Sequence, residues 1–410
     1  MKYFILLTDG LADEPIKKLN NITPLEAAKT PLTDLIASAG HYAMLSPTPS
    51  GCTGGSEVGN LTILGYDPRI HLTGRSPIEA AAIGIDMVED DVALRCNFIT
   101  LSDEKEYSQK RILDYSAGEI STEEASHLID AVNDAFACDK LDYHLGLSYR
   151  HCLVLHHEGT NMTLTPPHNA LGEKVEGISP KGDACDILYS MMERSYDILS
   201  DHPVNKKRVE KGLNPANSVW FWGQGRPMTL PSFKEKYGIS GGVITAVDLV
   251  RGIAKCANMN IHSVECATGT IHTNFDGKAD KAIQAFKNGE DLVYLHIEAP
   301  DECSHQLDVE SKILSAEYAD EKLLKPVLDY LVGCGDDYAI LITSDHPTLS
   351  QSGKHSSADV AYAMYFGKAG NYPAADNIVN FCEATALKNS NGKVTNGLEL
   401  MESFISGKYI

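Results

Sequence analysis

The chain has 410 residues, of which 43% are hydrophobic, and a formal net charge of −21 at pH 7. This length predicts two domains, and the negative charge argues against nucleic acid or an anionic membrane as a partner. No apolar run approaches the roughly 18 residues that a membrane span needs. The ten cysteines occur singly, without a Cys-x-x-Cys pair. That spacing excludes a zinc ribbon or a disulfide framework and predicts a cytoplasmic, reducing environment.

Up to about residue 90, the pattern predicts a strand, a helix over 24–39, a second strand, a glycine-rich turn and another helix. From about residue 215, short apolar segments alternate with amphipathic ones, with helices expected over 247–257, 278–287 and 310–331. Alternating strands and helices of these lengths are typical of an α/β fold with a doubly wound, mostly parallel sheet.

The middle of the chain follows a different pattern. Strands are predicted over 91–101 and 149–157, with a helix over 121–135, and a basic connection over 201–217. We interpret 91–214 as an inserted, smaller α+β domain that acts as a substrate-binding lid. The core domain would then be discontinuous, consisting of 1–90 and 215–410.

Three apolar runs each end in side chains that bind metals. The run 3–8 leads into Asp9, the run 291–298 leads into Asp301, and the run 338–343 leads into Asp345. Such runs are typical of buried strands, and ligands gather beyond the carboxyl ends of strands in open α/β sheets. We therefore expect the three segments to meet at one site.

Histidines complete this candidate metal site. His305 follows Asp301 at a spacing of four residues, so both would share one face of a helix that begins after Pro300. His346 and His355 follow Asp345. An N-terminal cap and a surface histidine would explain Asp301 and His305 alone, but the full set of three aspartates and three histidines favours metal binding. Mixed carboxylate and imidazole ligands suit Zn²⁺ or Mn²⁺, with Mg²⁺ as a further option, and six ligands indicate two ions.

Ser56 is the candidate nucleophile. It ends the sequence Gly51-Cys52-Thr53-Gly54-Gly55-Ser56 and precedes an apolar helix predicted over 58–64. At a helix N-terminus, the free N–H groups and the dipole favour an alkoxide or a phosphoryl group. An ordinary serine cap is the alternative. Two nearby cations would lower the pKa of the hydroxyl and favour covalent catalysis.

These residues follow the metal and nucleophile pattern of the alkaline phosphatase superfamily. Over nearly its whole length the chain resembles the archaeal-type, cofactor-independent branch of the phosphoglycerate mutases. The matching stretches are Leu64-Gly65-Tyr66-Asp67-Pro68, Gly74-Arg75-Ser76-Pro77-Ile78-Glu79-Ala80, Arg95-Cys96-Asn97-Phe98, Tyr149-Arg150-His151, Thr165-Pro166-Pro167-His168, Trp222-Gly223-Gln224-Gly225-Arg226, Leu230-Pro231-Ser232-Phe233 and Ala267-Thr268-Gly269.

The resemblance implies specific roles for the site residues. One metal would be held by Asp9, Ser56, Asp345 and His346. The other would be held by Asp301, His305 and His355. Ser56 would become a phosphoserine, and no organic cofactor would be needed. Interconversion of 2- and 3-phosphoglycerate in glycolysis is the leading prediction.

Other activities remain open at this point. Three stretches resemble a bacterial subgroup that has also been proposed to contain homoserine kinases: Tyr115-Ser116-Ala117-Gly118, Ser148-Tyr149-Arg150-His151 and Asp201-His202-Pro203-Val204-Asn205. The chain has Gly54-Gly55-Ser56-Glu57 where the family usually has Pro-Gly-Ser-Asp, which puts the choice of substrate in doubt. Homoserine kinase and small-molecule phosphatase are the alternatives.

A small phosphorylated metabolite is the expected partner, and arginine suits its phosphate and carboxylate because the guanidinium binds bidentately. Ordinary salt bridges are the alternative role for such residues. The oligomeric state is not predicted. The substrate-binding candidates are Arg150, His151, Arg226, Arg95 and Arg75.

Overall fold

The computed structural model describes residues 1–136 and 138–410. The chain forms two compact units. The first, which we call the core unit, consists of Met1–Leu72 together with Thr229–Ile410, and the second, the inserted unit, is Thr73–Met228. Among the described residues, none of the helices combines the length and the hydropathy that crossing a bilayer requires.

The inserted unit extends further in both directions than the boundaries at 91 and 214 expected from the sequence. Helix Arg75–Ala82 belongs to it because this helix packs against strands Val92–Leu101 and Ser218–Gly225. The packing is close, since a Cβ added at Gly225 would lie 2.9 Å from the Pro77 ring. Local sequence patterns do not reveal such packing, which explains the shift of the boundaries.

The core unit is built on an eight-stranded sheet, which confirms the predicted mostly parallel α/β fold. Only strand Val360–Gly367 runs antiparallel to its two neighbours. The strands, in their order across the sheet, are Asn260–Ile261, Gly241–Ile244, Leu292–Ile297, Lys2–Thr8, Tyr338–Thr343, Val360–Gly367, His41–Ser46 and Val394–Asn396. A separate short hairpin pairs Thr348–Leu349 with Lys354–His355.

The central strands are apolar at successive positions because both faces of the sheet are covered. Phe4 belongs to the core cluster that includes Phe286 and Leu328. Tyr3, which points to the other face, packs its ring against Phe404 with the centroids 5.6 Å apart. Burial on both sides is the usual reason for near-continuous apolar strands in parallel sheets.

Helices of the core unit connect these strands. The α-helices are Pro24–Ala27, Pro31–Ala39, Ser56–Ile63, Pro68–His71, Phe233–Tyr237, Asp248–Cys256, Phe275–Lys287, Ala299–His305, Val309–Tyr318, Lys325–Gly333, Glu383–Asn389 and Gly397–Ile405. A 3₁₀ turn spans Lys17–Leu19 and a π-helical segment spans Ala319–Leu324.

Two predicted helices of the core unit are not continuous α-helices. The one expected over 24–39 breaks at residues 28–30, because Pro31 disfavours helical geometry at Thr30, where φ is −124° and ψ is 63°. The one expected over 310–331 contains the π-helical segment and ends at Gly333.

The inserted unit contains a five-stranded antiparallel sheet centred on strand Val92–Leu101. The other strands of this sheet are Ile112–Asp114, Leu141–His144, Arg150–Leu155 and Ser218–Gly225. A small ribbon pairs Met162–Thr163 with Lys181–Gly182. Its α-helices are Arg75–Ala82, Thr122–Phe136, Val175–Ile178, Cys185–Ser200 and Pro203–Glu210, and 3₁₀ turns span Tyr107–Gln109 and Pro167–Asn169.

The segment 201–217, interpreted from its sequence as a connection, contains helix Pro203–Glu210. His202 caps this helix by accepting a hydrogen bond from the Val204 N–H, and Pro203 takes the first helical position, where its missing N–H costs nothing. Arg208 is buried and pairs with Glu124. Arg208 of this basic segment therefore belongs to the packed face of a helix.

Candidate metal centre and nucleophile

Three adjacent parallel strands bring the candidate ligands together in the core unit. Lys2–Thr8 lies between Leu292–Ile297 and Tyr338–Thr343, with Thr8 opposite Ile297 and Leu7 opposite Thr343. The strands therefore end at the same edge of the sheet. Asp9 follows the first strand directly, and Asp345 with His346 follows the third after one residue. Helix Ala299–His305 follows the second and carries Asp301.

One group of side chains surrounds His346. Asp9, Asp345 and His346 are buried and each offer a ligand atom within 4.8 Å of the others. The Nε2 atom of His346 lies 3.3 Å from Asp9 Oδ1 and 3.6 Å from Asp345 Oδ2. Ser56 Oγ lies 3.1 Å from the same Nε2 atom. The predicted nucleophile thus faces the first group of candidate ligands.

A second group surrounds Asp301. His305 Nε2 lies 3.2 Å from Asp301 Oδ2, and His355 Nε2 lies 3.4 Å from Asp301 Oδ1. The two histidine Nε2 atoms are 3.1 Å apart. Helix Ala299–His305 puts Asp301 and His305 on one face, as their spacing predicted. The ring of His346 stacks on that of His355 with centroids 4.2 Å apart, so the two groups adjoin.

Charge repulsion among the carboxylates shows that the first group fits a cation. Burial raises the pKa of Asp9 well above its usual range, and the neighbouring Asp345 and Asp301 raise it further. Asp9 Oδ1 is buried and accepts no hydrogen bond from the described residues. A divalent cation would satisfy this oxygen and remove the repulsion.

Hydrogen bonds between histidines and the Asp301 carboxylate connect the second group of candidate ligands. Burial opposes ionisation of Asp301, but hydrogen bonds from His305 and His355 hold the pKa of its carboxyl well below the usual range. The hydrogen bond to Asp301 in turn raises the pKa of His305 to about 9. Metal binding needs neutral imidazole, so a cation here would displace the extra proton of His305.

The serine helix approaches the Asp345 segment very closely. Ser56 is the first residue of helix Ser56–Ile63, and its neighbour Gly55 provides the N-cap. A Cβ at Gly59 would lie 2.2 Å from the backbone oxygen of Asp345, a distance that no real side chain tolerates. A glycine at position 59 thus allows the helix to bring Ser56 to the carboxylates.

Asn60 connects this helix to the ligands and was not predicted from the sequence. Its Nδ2 atom donates to Asp345 Oδ2 at 2.8 Å and to Ser56 O at 2.9 Å. Its Oδ1 atom accepts from the Tyr294 hydroxyl at 2.6 Å. The buried amide orients one candidate ligand and the start of the serine helix together. An asparagine four positions after Ser56, one helical turn along the predicted helix, was the available signal.

His296 is a second residue that sequence reasoning missed. Its Nε2 atom lies 3.0 Å from Asp9 Oδ2, and its Nδ1 atom lies 3.2 Å from Thr245 Oγ1. Burial lowers the pKa of His296 to about 3, so the ring is neutral and orients Asp9 by donating a hydrogen bond. A histidine within the apolar run of a predicted strand was the signal.

Gly10 allows the backbone to turn sharply directly after the candidate ligand Asp9. Its φ is +63°, and an added Cβ would lie 2.6 Å from both Asp301 Oδ1 and Thr348 Oγ1. Its N–H donates to Asp345 Oδ1 at 3.2 Å. Any side chain at position 10 would therefore displace the candidate ligands.

The five substrate-binding candidates all lie in the inserted unit, and structural contacts engage three of the arginines. Arg95 Nε donates to Glu79 at 2.7 Å, and Arg75 Nε donates to the same carboxylate at 3.1 Å. The Arg95 guanidinium also lies over the Trp222 ring, 4.6 Å from its centroid. Arg226 Nη2 donates to Glu158 O at 2.8 Å.

His151 and Arg150 differ in exposure. The His151 ring is buried beside Phe98, with 4.7 Å between centroids, and burial lowers its pKa to about 3. Its Nδ1 atom accepts from Gly146 N at 3.2 Å. Its Nε2 atom is buried without a hydrogen-bond partner among the described residues, and a substrate contact by His151 stays a prediction. Arg150 is exposed, packs over Tyr149 and forms no ion pair with the described residues, so it remains a prediction.

Known proteins of one family are similar to this chain. The family model of 2,3-bisphosphoglycerate-independent phosphoglycerate mutase matches residues 37–205. The Methanosarcina mazei protein of that name is 41% identical over 395 residues, which cover 96% of this chain and 97% of that protein. The Methanothrix thermoacetophila protein of that name is 41% identical over 407 residues, covering 99% of this chain and all (100%) of that protein.

Solved structures share the fold. A Pyrococcus horikoshii protein has a TM-score of 0.81 at 27% identity, covering 99% of this chain and 96% of that one. The cofactor-independent phosphoglycerate mutase of Thermoplasma acidophilum has a TM-score of 0.65 at 24% identity, covering 99% and 98%. The homoserine kinase alternative gains no support from these relatives. At this identity over nearly the whole chain, the protein belongs to the 2,3-bisphosphoglycerate-independent phosphoglycerate mutase family.

Proposed function

We propose that this chain interconverts 2-phosphoglycerate and 3-phosphoglycerate by phosphoryl transfer through a phosphoserine at Ser56. The position of Ser56 carries this proposal, since its Oγ atom lies 3.1 Å from His346 Nε2 beside the buried Asp9 and Asp345 carboxylates. The mutase names of full-length relatives support the choice of substrate.

Two divalent cations, Mn²⁺ or Zn²⁺, fit the two groups of ligands. We assign Asp9, Ser56, Asp345 and His346 to one cation. We assign Asp301, His305 and His355 to the other. When bound, such cations lower the pKa of the serine hydroxyl and neutralise the charge of the transferring phosphoryl group.

In the proposed transfer, side chains and backbone groups of the chain position the phosphoryl group and the serine. Ser56 Oγ gives up its proton and attacks the phosphorus. The bond from phosphorus to the glycerate oxygen breaks, and that oxygen takes up a proton to become a hydroxyl. Return of the phosphoryl group from Ser56 to the other hydroxyl gives the isomer and restores the serine. Ser56 opens helix Ser56–Ile63, and N–H groups at a helix N-terminus can donate to phosphoryl oxygens. Arg150 stays a prediction for the substrate carboxylate or phosphate.

The test is to trap the phosphoserine. Wild-type protein loaded with Mn²⁺ and incubated with 3-phosphoglycerate labelled on phosphorus with ³²P should retain label after acid quenching, and peptide mapping should place it on Ser56. Ser56→Ala should retain no label and lose more than about 1,000-fold in kcat. Ser50→Ala, which changes an exposed serine in the preceding loop, is the matched control and should behave as wild type.

Product analysis separates the mutase from its alternatives. Formation of 2-phosphoglycerate without release of inorganic phosphate is the expected result. Release of phosphate alone would identify a phosphatase. ATP-dependent phosphorylation of homoserine, with no turnover of 3-phosphoglycerate, would overturn the mutase assignment.

A further inference from the structure

Lys312 is a fully buried ammonium group that the phosphoryl transfer itself does not use. It lies on helix Val309–Tyr318, and its side chain, like that of Asp13, has no exposed surface. Its Nζ atom lies 2.9 Å from Asp13 Oδ2 and donates to Thr348 O at 2.7 Å. A longer contact of 3.4 Å reaches Ala12 O. The three N–H bonds of the ammonium therefore each have an acceptor.

Stability alone does not account for such a pair. Removing two charges from water costs several kcal/mol per ion, and well-packed apolar replacements of buried pairs are often neutral or stabilising. The pair instead fixes the relative positions of segments that are far apart in sequence, because three directed hydrogen bonds from Lys312 connect them. The segments in question carry the candidate ligands.

Thr348 is the residue through which Lys312 reaches the metal centre. Its hydroxyl donates to Asp301 Oδ1, and the same oxygen lies 3.2 Å from His346 Nδ1. Because the single hydroxyl proton goes to Asp301, the Nδ1–H of His346 is the donor in the second contact. That tautomer leaves the Nε2 lone pair of His346 facing Asp9 and Ser56. Thr348 thus orients one residue from each group of ligands.

Asp13 holds the residues that follow Thr348. Its Oδ2 atom accepts from Ser350 N at 3.1 Å and from Ser350 Oγ at 2.6 Å. The backbone N–H of Thr348 contacts Gly10 O at 3.3 Å and Ala12 O at 3.2 Å. The ion pair therefore ties the segment that begins with Asp9 to the segment that carries Thr348.

We propose that Lys312, paired with Asp13, is a positioning residue that fixes Thr348 and, through it, the orientation of Asp301 and His346 towards two divalent cations. This inference rests on the proposed function only in requiring that the two ligand groups bind cations.

Manganese binding without substrate is the direct test. Lys312→Met alone would leave the Asp13 carboxylate buried and unpaired, so the test uses the double variant Lys312→Met/Asp13→Asn, in which asparagine still accepts from Ser350. We expect it to unfold cooperatively like wild type but to bind Mn²⁺ about 10- to 100-fold more weakly, with an altered electron paramagnetic resonance spectrum of bound Mn²⁺. The matched control is Lys325→Met, which removes an exposed lysine paired with Asp329 and should bind Mn²⁺ as wild type.

Variants at Thr348 keep the proposal testable if the double variant does not fold. Thr348→Val removes the hydroxyl and should weaken Mn²⁺ binding by a similar factor, whereas Thr348→Ser keeps the hydroxyl and should restore it. At saturating Mn²⁺, Thr348→Val should lower kcat more than it raises KM. Adding Lys312→Met/Asp13→Asn to Thr348→Val should cause little further loss of affinity, because both changes act through the same hydroxyl.

The outcomes separate this inference from the proposed function. Wild-type affinity for Mn²⁺ in Thr348→Val, or fully additive losses in the combined variant, would overturn the positioning role and leave the mutase assignment intact. Failure of the wild-type protein to bind either Mn²⁺ or Zn²⁺ would overturn both.

Discussion

Asn60 illustrates how a single uncharged side chain organises the site. It is fully buried, and its amide contacts Ser56, Asp345 and Tyr294 at once. A buried polar group costs free energy unless its hydrogen bonds are made, so the three contacts depend on one another. The same Asn60 amide therefore positions both the proposed nucleophile Ser56 and the proposed ligand Asp345.

Removing the Asn60 amide should destabilise the protein. Asn60→Leu leaves the Tyr294 hydroxyl without its acceptor, and we expect a loss of about 1–3 kcal/mol in the free energy of unfolding, measured by urea denaturation. The double variant Asn60→Leu/Tyr294→Phe removes both partners and should recover part of that loss. A single variant as stable as wild type would show that the Asn60 contacts do not stabilise the protein.

His151 should make stability depend on pH in the acid range. Burial lowers its pKa to about 3, against an ordinary value near 6.5. The native ring stays neutral while the unfolded chain binds a proton below about pH 6.5, so the free energy of unfolding should fall as the pH decreases from about 6.5 towards 3.

The variant His151→Gln tests this expectation, since glutamine keeps an acceptor for the Gly146 N–H but does not titrate. The stability difference between wild type and variant should shrink between pH 7 and pH 4 in urea denaturation. A difference independent of pH would show that His151 does not contribute to the acid sensitivity.

At the scale of elements, the helix that carries Ser56 is positioned by its close approach to the Asp345 segment. Gly59 permits that approach, because the space a Cβ would occupy is filled by the Asp345 backbone and side chain. The residues after strand Tyr338–Thr343 and the helix that Ser56 begins are therefore closely packed. Small shifts between elements would separate the nucleophile from the carboxylates.

Gly59→Ala should push the helix away from Asp345. Overpacking of this kind costs about 1–3 kcal/mol, and we expect weaker Mn²⁺ binding and lower kcat as well. Gly333→Ala is the matched control, because that helical glycine has open space around it and lies in the same unit. Thermal denaturation and Mn²⁺ titration of both variants provide the measurement, and equal behaviour of the two would refute the packing argument.

For the whole molecule, the two units each contain the features of an independent domain. The inserted unit has its own core cluster, to which Phe98, Leu128 and Trp220 belong. Its chain ends meet, because Thr73 Oγ1 donates to Arg226 O at 2.6 Å. In the core unit, His71 Nδ1 lies 3.1 Å from Thr229 O, so the two chain segments also meet there. Chain ends that lie together are typical of an inserted domain.

Dividing the chain at these points should leave two folded proteins. We expect residues 73–228 to unfold cooperatively on their own and to bind no Mn²⁺ at the affinity of the intact chain. Residues 1–72 joined to 229–410 by a short Gly-Ser linker should retain Mn²⁺ binding, because every proposed ligand lies in that unit. Loss of cooperative unfolding in residues 73–228 would contradict the independence of the inserted unit.

The sequence by itself determined the α/β fold and the side chains that gather at the strand ends, because apolar runs that end in Asp and His are local patterns. It also determined the family, because the matching stretches are local patterns too. Only the tertiary structure revealed Asn60, His296, Thr348 and Lys312 beside them. Asn60 and Asp345 are 285 residues apart in sequence, and Lys312 and Asp13 are 299 apart. Local periodicity predicts strands and helices, but which buried polar groups meet depends on the order and register of the strands that carry them.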